Sequence, residues 1–470
     1  MTAYSPSCCA RLSANSGLNV ALPNSTTYAS TESAYWSLQE ASLTPACIVR
    51  PRSSEDVASI IATIVKRDDC PFAIKSQGHA PAAGFANINN GITIDLTELN
   101  AVTTNEDASI AYVGTGASWL DVYTFLDPLN KTVSGGRNGG VGVGGLTLGG
   151  GISYFSPQVG FTCDSAINFE LVLANGDLVD ANATSRSDLF RALKGGLNNF
   201  GLVTRIDFNT LPVGEILGGR VVNDIAYRGD VFDAFANIAN AEEYDVHASI
   251  TTSTVFNSVT KTWTLLSAPI YTKPEAKPSV YNELLAVPSV SNTLQITPLH
   301  VLANESAIVQ TNQLFSTATY GASAKLLKSI FDICNDTLYG FQVTGSLQWI
   351  ATFEPLPTVF VSHGASENVL GLSTVEGNGM ILLLSASWSD VESSSLVHQK
   401  AESLLGSINA AAQDMGLLRD FVYANYANIV QKPISSYGTQ NKDFLRREAK
   451  EYDPRGVFQR QVPGAFKLVD

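Results

Sequence analysis

Two short stretches of this 470-residue chain have the composition of a ligand site. The first is Lys75-Ser76-Gln77-Gly78-His79-Ala-Pro-Ala-Ala-Gly84, where one of only five histidines sits among small residues. An imidazole so placed can reach a bound group without crowding; a histidine that only ties its own loop together is the bland reading of the same residues. The second is the run from Gly135 to Gly151, ten glycines in seventeen residues. It contains GxGxxG at Gly140, Gly142 and Gly145, and Asp164 follows at the distance of a ribose-binding acid. A dinucleotide fingerprint must open a helix, however, and Gly149-Gly150-Gly151 would cost a helix roughly 1 kcal/mol per residue relative to alanine. Extended backbone is expected instead, with amide N–H groups able to approach an anionic or planar ligand closely. A glycine-rich packing loop is the alternative.

Alternating strands and helices must hold these stretches. Ile48 and Val49 read as a strand, and Ser53-Ser-Glu-Asp56 as the capped start of a helix carrying Val57, Ile60, Ile61, Ile64 and Val65 on one face. Phe72 to Lys75 is a strand that runs directly into the histidine loop. Further strands are expected at Ile92–Leu96, Ile110–Val113, Phe169–Leu173, Leu178–Val179 and Val203–Phe208. Asn175-Gly176 favours a type I′ hairpin turn. Trp119–Leu126 reads as a helix stopped by Pro128, and Asp188–Lys194 as one ended by Gly195-Gly196. From residue 216 the pattern changes to longer strands, such as His247–Thr254 and Met380–Trp388, with helices such as Val397–Met415.

Composition narrows the classes. Hydrophobic residues make up 45% and charged ones 15%, enough to bury a large interior. With 29 Lys+Arg against 43 Asp+Glu the formal net charge is −14, which repels phosphate backbones and anionic headgroups, so neither nucleic acid nor membrane is an expected partner. No apolar run approaches the roughly 18 residues of a membrane helix. Four of six cysteines, Cys8, Cys9, Cys47 and Cys70, lie in the first seventy residues, and disulfides are expected among them with the pairing open. This weakly favours the secretory pathway over the cytoplasm. Cys163 and Cys334 read as core residues. No Cys/His cluster has metal-site spacing.

Several ordered segments resemble one family. Gly78-His79, Ile92-Thr-Ile-Asp-Leu96, Val141-Gly142-Val-Gly144-Gly145 with Gly149-Gly-Gly151, Leu189-Phe-Arg-Ala-Leu-Lys-Gly-Gly196 and Asn199-Phe-Gly201 are similar to the FAD-binding domain of the vanillyl-alcohol-oxidase flavoprotein superfamily. Tyr423-Ala-Asn425-Tyr426, Tyr437-Gly438 and Tyr452-Asp-Pro454 extend the likeness to the berberine-bridge-enzyme-like oxidases of fungi. The resemblance implies a two-domain α+β fold. Residues 1–215 and a returning segment 421–470 would bind FAD, and 216–420 would form an antiparallel-sheet substrate domain with helices. It implies covalent attachment of FAD through His79 only, since Asn138 stands where some relatives carry a second, cysteine link. Ser76, Gln77, Gly78, Val141, Gly142, Gly144, Gly145, Gly149, Gly201, Val203 and Asn425 are the implied cofactor contacts; Lys75 and Gln77 depart from the family loop. Tyr423 or Tyr426 is the implied base, and a phenol needs a nearby cation or hydrogen-bond donor to act as one at neutral pH. Val141 stands where valine accompanies access of dioxygen. The implied function is oxidation of an alcohol, amine or related C–H centre of a small metabolite, yielding hydrogen peroxide. An oligosaccharide oxidase, a flavin-containing cyclase and a non-catalytic flavin carrier are the alternatives.

Overall fold

The computed structural model describes residues 5–66, 69–304, 310–372 and 377–468. Its first layer follows the expected βαβ logic. Strand Cys47–Arg50 leads through Ser53, whose side chain accepts from Asp56 N, into helix Ser54–Ile64. That helix buries Val57, Ile60, Ile61 and Ile64, as their spacing predicts. Strands Cys47–Arg50 and Phe72–Lys75 both pair parallel with Ile92–Asp95, and Asn19–Ala21 adds an antiparallel edge. Val457, Phe458 and Val462 share the apolar cluster of Val49, Ile60 and Phe72, so the end of the chain packs against its beginning. Two disulfides, Cys8–Cys70 and Cys9–Cys47, clamp the N-terminal helix to this layer and decide the pairing left open above. Cys163 and Cys334 are buried free thiols.

An antiparallel sheet follows, in the order Val102–Thr104, Ile110–Gly114, Leu202–Asn209, Ala166–Val172, Leu178–Asn182. The hairpin at Asn175-Gly176 forms, but not with a type I′ turn. That turn needs positive φ at both residues, and only Gly176 has it, at 90°. Leu173 O accepts from Gly176 N and Leu173 N donates to Asp177 O, closing a longer loop.

The glycine run departs more from expectation. Val143–Leu148 is a helix between Gly142 and Gly149, not extended backbone. The propensity penalty applies to only two internal glycines, and burial of Val143 and Thr147 outweighs it over so short a span. The triplet Gly149-Gly150-Gly151 ends the helix, as its cost demands.

Among the described residues, strands between Ile216 and Arg419 build one large antiparallel sheet. Its centre places Leu347–Leu356 beside Gly379–Trp388, which pairs in turn with Asn312–Gly321. Trp349, Ala351, Phe353, Leu382, Leu384 and Trp388 pack on one face, under helices Arg228–Ala239, Ala324–Leu338 and Ser394–Asp414. By strand alternation, Glu354 and Leu383 point to the other face, toward the glycine run. The protein is therefore α+β, and the site lies between the glycine run and the free face of this sheet.

Candidate functional site

A cavity of about 400 Å³ opens there, within the range of small-molecule and cofactor sites. The structure gathers Ser76, Gln77, Gly78, His79, Val141, Gly142, Gly144, Gly145, Gly201, Val203, Tyr423, Asn425 and Tyr426 on its wall. Phe315 and Leu383 of the large sheet line the wall as well. Gly149 is the exception. It stands behind the wall, where a Cβ would come within 1.9 Å of Asn425 Oδ1, so its bareness seats the Asn425 amide. Asn425 Nδ2 donates to Leu146 O at 2.9 Å and to the Tyr423 hydroxyl at 3.0 Å. Asp164 takes no part: it is held by Phe161 N and Asn368 Nδ2, each at 2.8 Å, and is not among the lining residues.

The histidine loop presents backbone to the cavity and spends its polar side chains elsewhere. Ser76 Oγ donates to Thr115 O and Gln77 Nε2 to Gly116 O, both at 2.6 Å. Lys75 turns away from the cavity into a buried pair with Asp95 at 3.4 Å, beneath the Tyr35 ring. The side chains of Lys75 and Gln77 are thus both engaged with other parts of the chain. Among the described residues nothing accepts from the amides of Gln77, Gly78 or His79, three successive donors on the wall. A Cβ on Gly142 would lie 2.3 Å from Ser76 Oγ and 2.8 Å from Gln77 N, so only glycine lets the two backbone segments meet. His79 Nδ1 is buried without a hydrogen-bond partner, and burial pushes the imidazole pKa down to about 4. Unused amides, an orphaned neutral imidazole and a glycine-walled cavity fit a bound dinucleotide with a flat ring system.

Another part of the wall, formed by Arg137 and Tyr426 with Glu354 behind them, is built from side chains. Arg137, in the glycine run, donates from Nη2 to Glu354 Oε1 at 2.7 Å and to the Tyr426 hydroxyl oxygen at 2.6 Å. Tyr426 in turn donates to Glu354 Oε1 at 3.0 Å. All three are largely withdrawn from solvent. Burial raises the Tyr426 pKa well above its ordinary value; the Arg137 charge opposes that shift and Glu354 adds to it. Burial works against the Arg137 charge, yet Glu354 and Tyr426 hold its pKa above the ordinary value. Glu354 Oε2 has no hydrogen-bond partner. Tyr423 instead packs edge-on against Tyr426 at 4.9 Å and supports Asn425.

Sequence reasoning missed Arg137 and Glu354. Arg137 was hidden by the glycines around it. Glu354 had one signal, a carboxylate alternating with Trp349, Ala351 and Phe353, which places it on the face opposite the core. Trp349 and Trp388 are core residues, Trp263 packs against the same core, and none of the three lines the cavity.

The chain is similar to several known proteins. The family model described as "FAD binding domain" matches residues 45–182. An FAD-dependent monooxygenase of Aspergillus calidoustus is 35% identical over 91% of this chain and 83% of its own length. One from Emericella nidulans is 33% identical over 100% of this chain and 99% of that protein. The solved glucooligosaccharide oxidase of Acremonium strictum has a TM-score of 0.80 at 20% identity over 98% of both chains, which shows a common fold.

Proposed function

We propose, from the premise that this chain belongs to the family of fungal FAD-dependent monooxygenases and is an FAD-linked oxidoreductase, that it oxidises an alcohol, amine or related C–H centre of a small organic metabolite. Dioxygen takes the electrons and leaves as hydrogen peroxide, and the reaction belongs to fungal secondary metabolism. The observation that carries this reading is the Tyr426 phenol held between Arg137 and Glu354 on the wall of the cavity.

FAD, when bound, supplies the hydride acceptor. The amides of Gln77, Gly78 and His79, with Ser76, Gly142, Gly144, Gly145, Gly201, Val203 and Asn425, would hold it, and His79 would attach it covalently. Val141 leaves room for dioxygen. Residues 1–215 and 421–470 act as the cofactor domain and 216–420 as the substrate domain. Tyr426 accepts the proton of the substrate O–H or N–H while its own proton passes to Glu354 Oε1, so no free phenolate is needed at rest. Arg137 keeps its positive charge throughout and balances the negative charge that moves between the two oxygens. Tyr423 is a packing and positioning residue. The two disulfides support an oxidising compartment such as the secretory pathway.

Among the described residues no helix is long and apolar enough to cross a membrane. A second reading, insertion of one oxygen atom into the substrate, is favoured by the name monooxygenase carried by the relatives. Metabolite comparison with and without the enzyme, under 18O-labelled dioxygen and with a peroxide assay, tests both. Stoichiometric peroxide and unlabelled product support the oxidase; label in the product supports monooxygenation. An isomerised product without oxygen uptake would overturn both.

A further inference from the structure

The face of the His79 ring is not left to the cofactor. Trp36, in the loop between helices Thr26–Glu32 and Leu38–Ala41, stacks on it with ring centroids 4.4 Å apart and planes 12° from parallel. The neighbouring backbone is gripped from the same loop. Trp36 N donates to Gly78 O at 3.1 Å, and Ser37 Oγ donates to Ala80 O at 2.9 Å, one bond on each side of His79. Gly78 itself holds φ of 69° beneath Tyr35, whose ring a Cβ would meet at 2.7 Å.

This gripping loop is in turn fastened to the large sheet. Gln310 Nε2 donates to Ser33 O at 2.9 Å and to Tyr35 O at 2.7 Å. Leu38 N donates to Thr311 O at 3.0 Å, and Gln39 and Gln313 exchange two bonds, at 2.8 and 3.0 Å. Trp36 also packs on Phe315 of that sheet at 5.3 Å, and Phe315 lines the cavity.

We propose that Trp36 is a positioning residue for covalent flavin attachment, fixing the plane of the His79 ring and hence the direction in which its nitrogen attacks. This role rests on His79 being the attachment point. An imidazole lone pair lies in the ring plane, so rotation about the ring's bond to Cβ sweeps the line of attack; a parallel indole against one face removes that freedom. The backbone bonds at Gly78 and Ala80 remove the remaining freedom at Cα. The link forms one N–C bond at the expense of one imidazole N–H and one C–H of the flavin 8α-methyl. The two electrons pass to the isoalloxazine and on to dioxygen, which with two protons becomes hydrogen peroxide. Burial keeps the imidazole neutral at physiological pH, so the lone pair is available without a further base.

The test compares the wild type with Trp36→Ala, Trp36→Leu and Trp36→Phe on purified full-length protein. Total flavin is read from the visible spectrum of native protein, attached flavin from the acid precipitate, and the rate of attachment from a time course of apoprotein with added FAD. We expect Trp36→Ala and Trp36→Leu to bind FAD yet attach it at least tenfold more slowly, and Trp36→Phe to recover most of the rate because it restores a flat face. If Trp36→Ala does not fold, Trp36→Leu, which keeps the apolar bulk, decides alone. Attachment by Trp36→Leu at the wild-type rate would overturn the proposal. Release of all flavin from the acid-treated wild type would instead overturn the His79 reading itself, and the two failures are distinct.

Discussion

The two walls of the cavity are made in opposite ways. The proposed cofactor wall is main chain: Gln77 to His79 and the bare backbone of Gly142 line it, and the side chains of Ser76 and Gln77 are turned into braces. The proposed chemical wall is side chain: Arg137 and Tyr426 line the cavity and Glu354 is bonded to both from behind it, across 217 and 72 residues of sequence. A backbone wall needs only that side chains be absent, which a local run of glycines achieves. A side-chain wall needs three groups aligned within hydrogen-bond reach, which only packed tertiary structure achieves. The two should therefore fail separately, one in cofactor loading and the other in turnover.

The largest separation is expected from Tyr426→Phe, which removes the proton relay and no backbone contact. Its kcat should fall by about 10²–10⁴-fold, the usual worth of a placed acid or base. Flavin content and the acid-stable fraction should stay at wild-type levels; loss of flavin in this variant would erase the division between the walls. Glu354→Gln keeps the shape and removes the charge. Turnover should fall by roughly 10²-fold, and stability should fall further than in Tyr426→Phe by about 3 kcal/mol, because a buried guanidinium loses its counter-charge. Thermal and denaturant unfolding of both variants would check this order.

Gly142→Ala attacks the other wall. The new methyl must displace Ser76 and the amide of Gln77, costing about 1–3 kcal/mol in the apoprotein and lowering FAD occupancy. Turnover per bound flavin should stay near the wild-type value, and a tenfold drop would contradict the division.

The smallest effect on turnover concerns pH. Glu40, fully buried, accepts from the amides of Gly84 and Ala86 and so braces the chain beyond His79. Burial pushes its pKa up to about 7 from an ordinary 4.5. A raised carboxyl binds its proton more tightly folded than unfolded, so this stability is present below pH 4.5 and is lost as pH rises through 7. The loss is at most about 3.5 kcal/mol, from about 1.4 kcal/mol per pKa unit. Glu40→Gln should flatten the stability profile in that window while leaving the pH dependence of turnover unchanged.

What could be read from the chain alone follows the same division. The capped helix after Ser53, the strand into the histidine loop and the glycine run all depend on neighbours within a few residues, where periodicity, capping and steric freedom act. Even there local rules erred once packing intervened. Val143–Leu148 became a helix because two buried side chains outweighed its glycines, and the Asn175-Gly176 turn closed as a longer loop. The sequence by itself determined the α+β character, the backbone cradle and the histidine poised beside it, because absence of side chains is a local property. Only the tertiary structure decided that Cys8 meets Cys70, that Trp36 covers His79, and that Tyr426 rather than Tyr423 meets Arg137 and Glu354. Those choices depend on strand register and on which face of a distant sheet turns inward, and no short window of sequence carries that information.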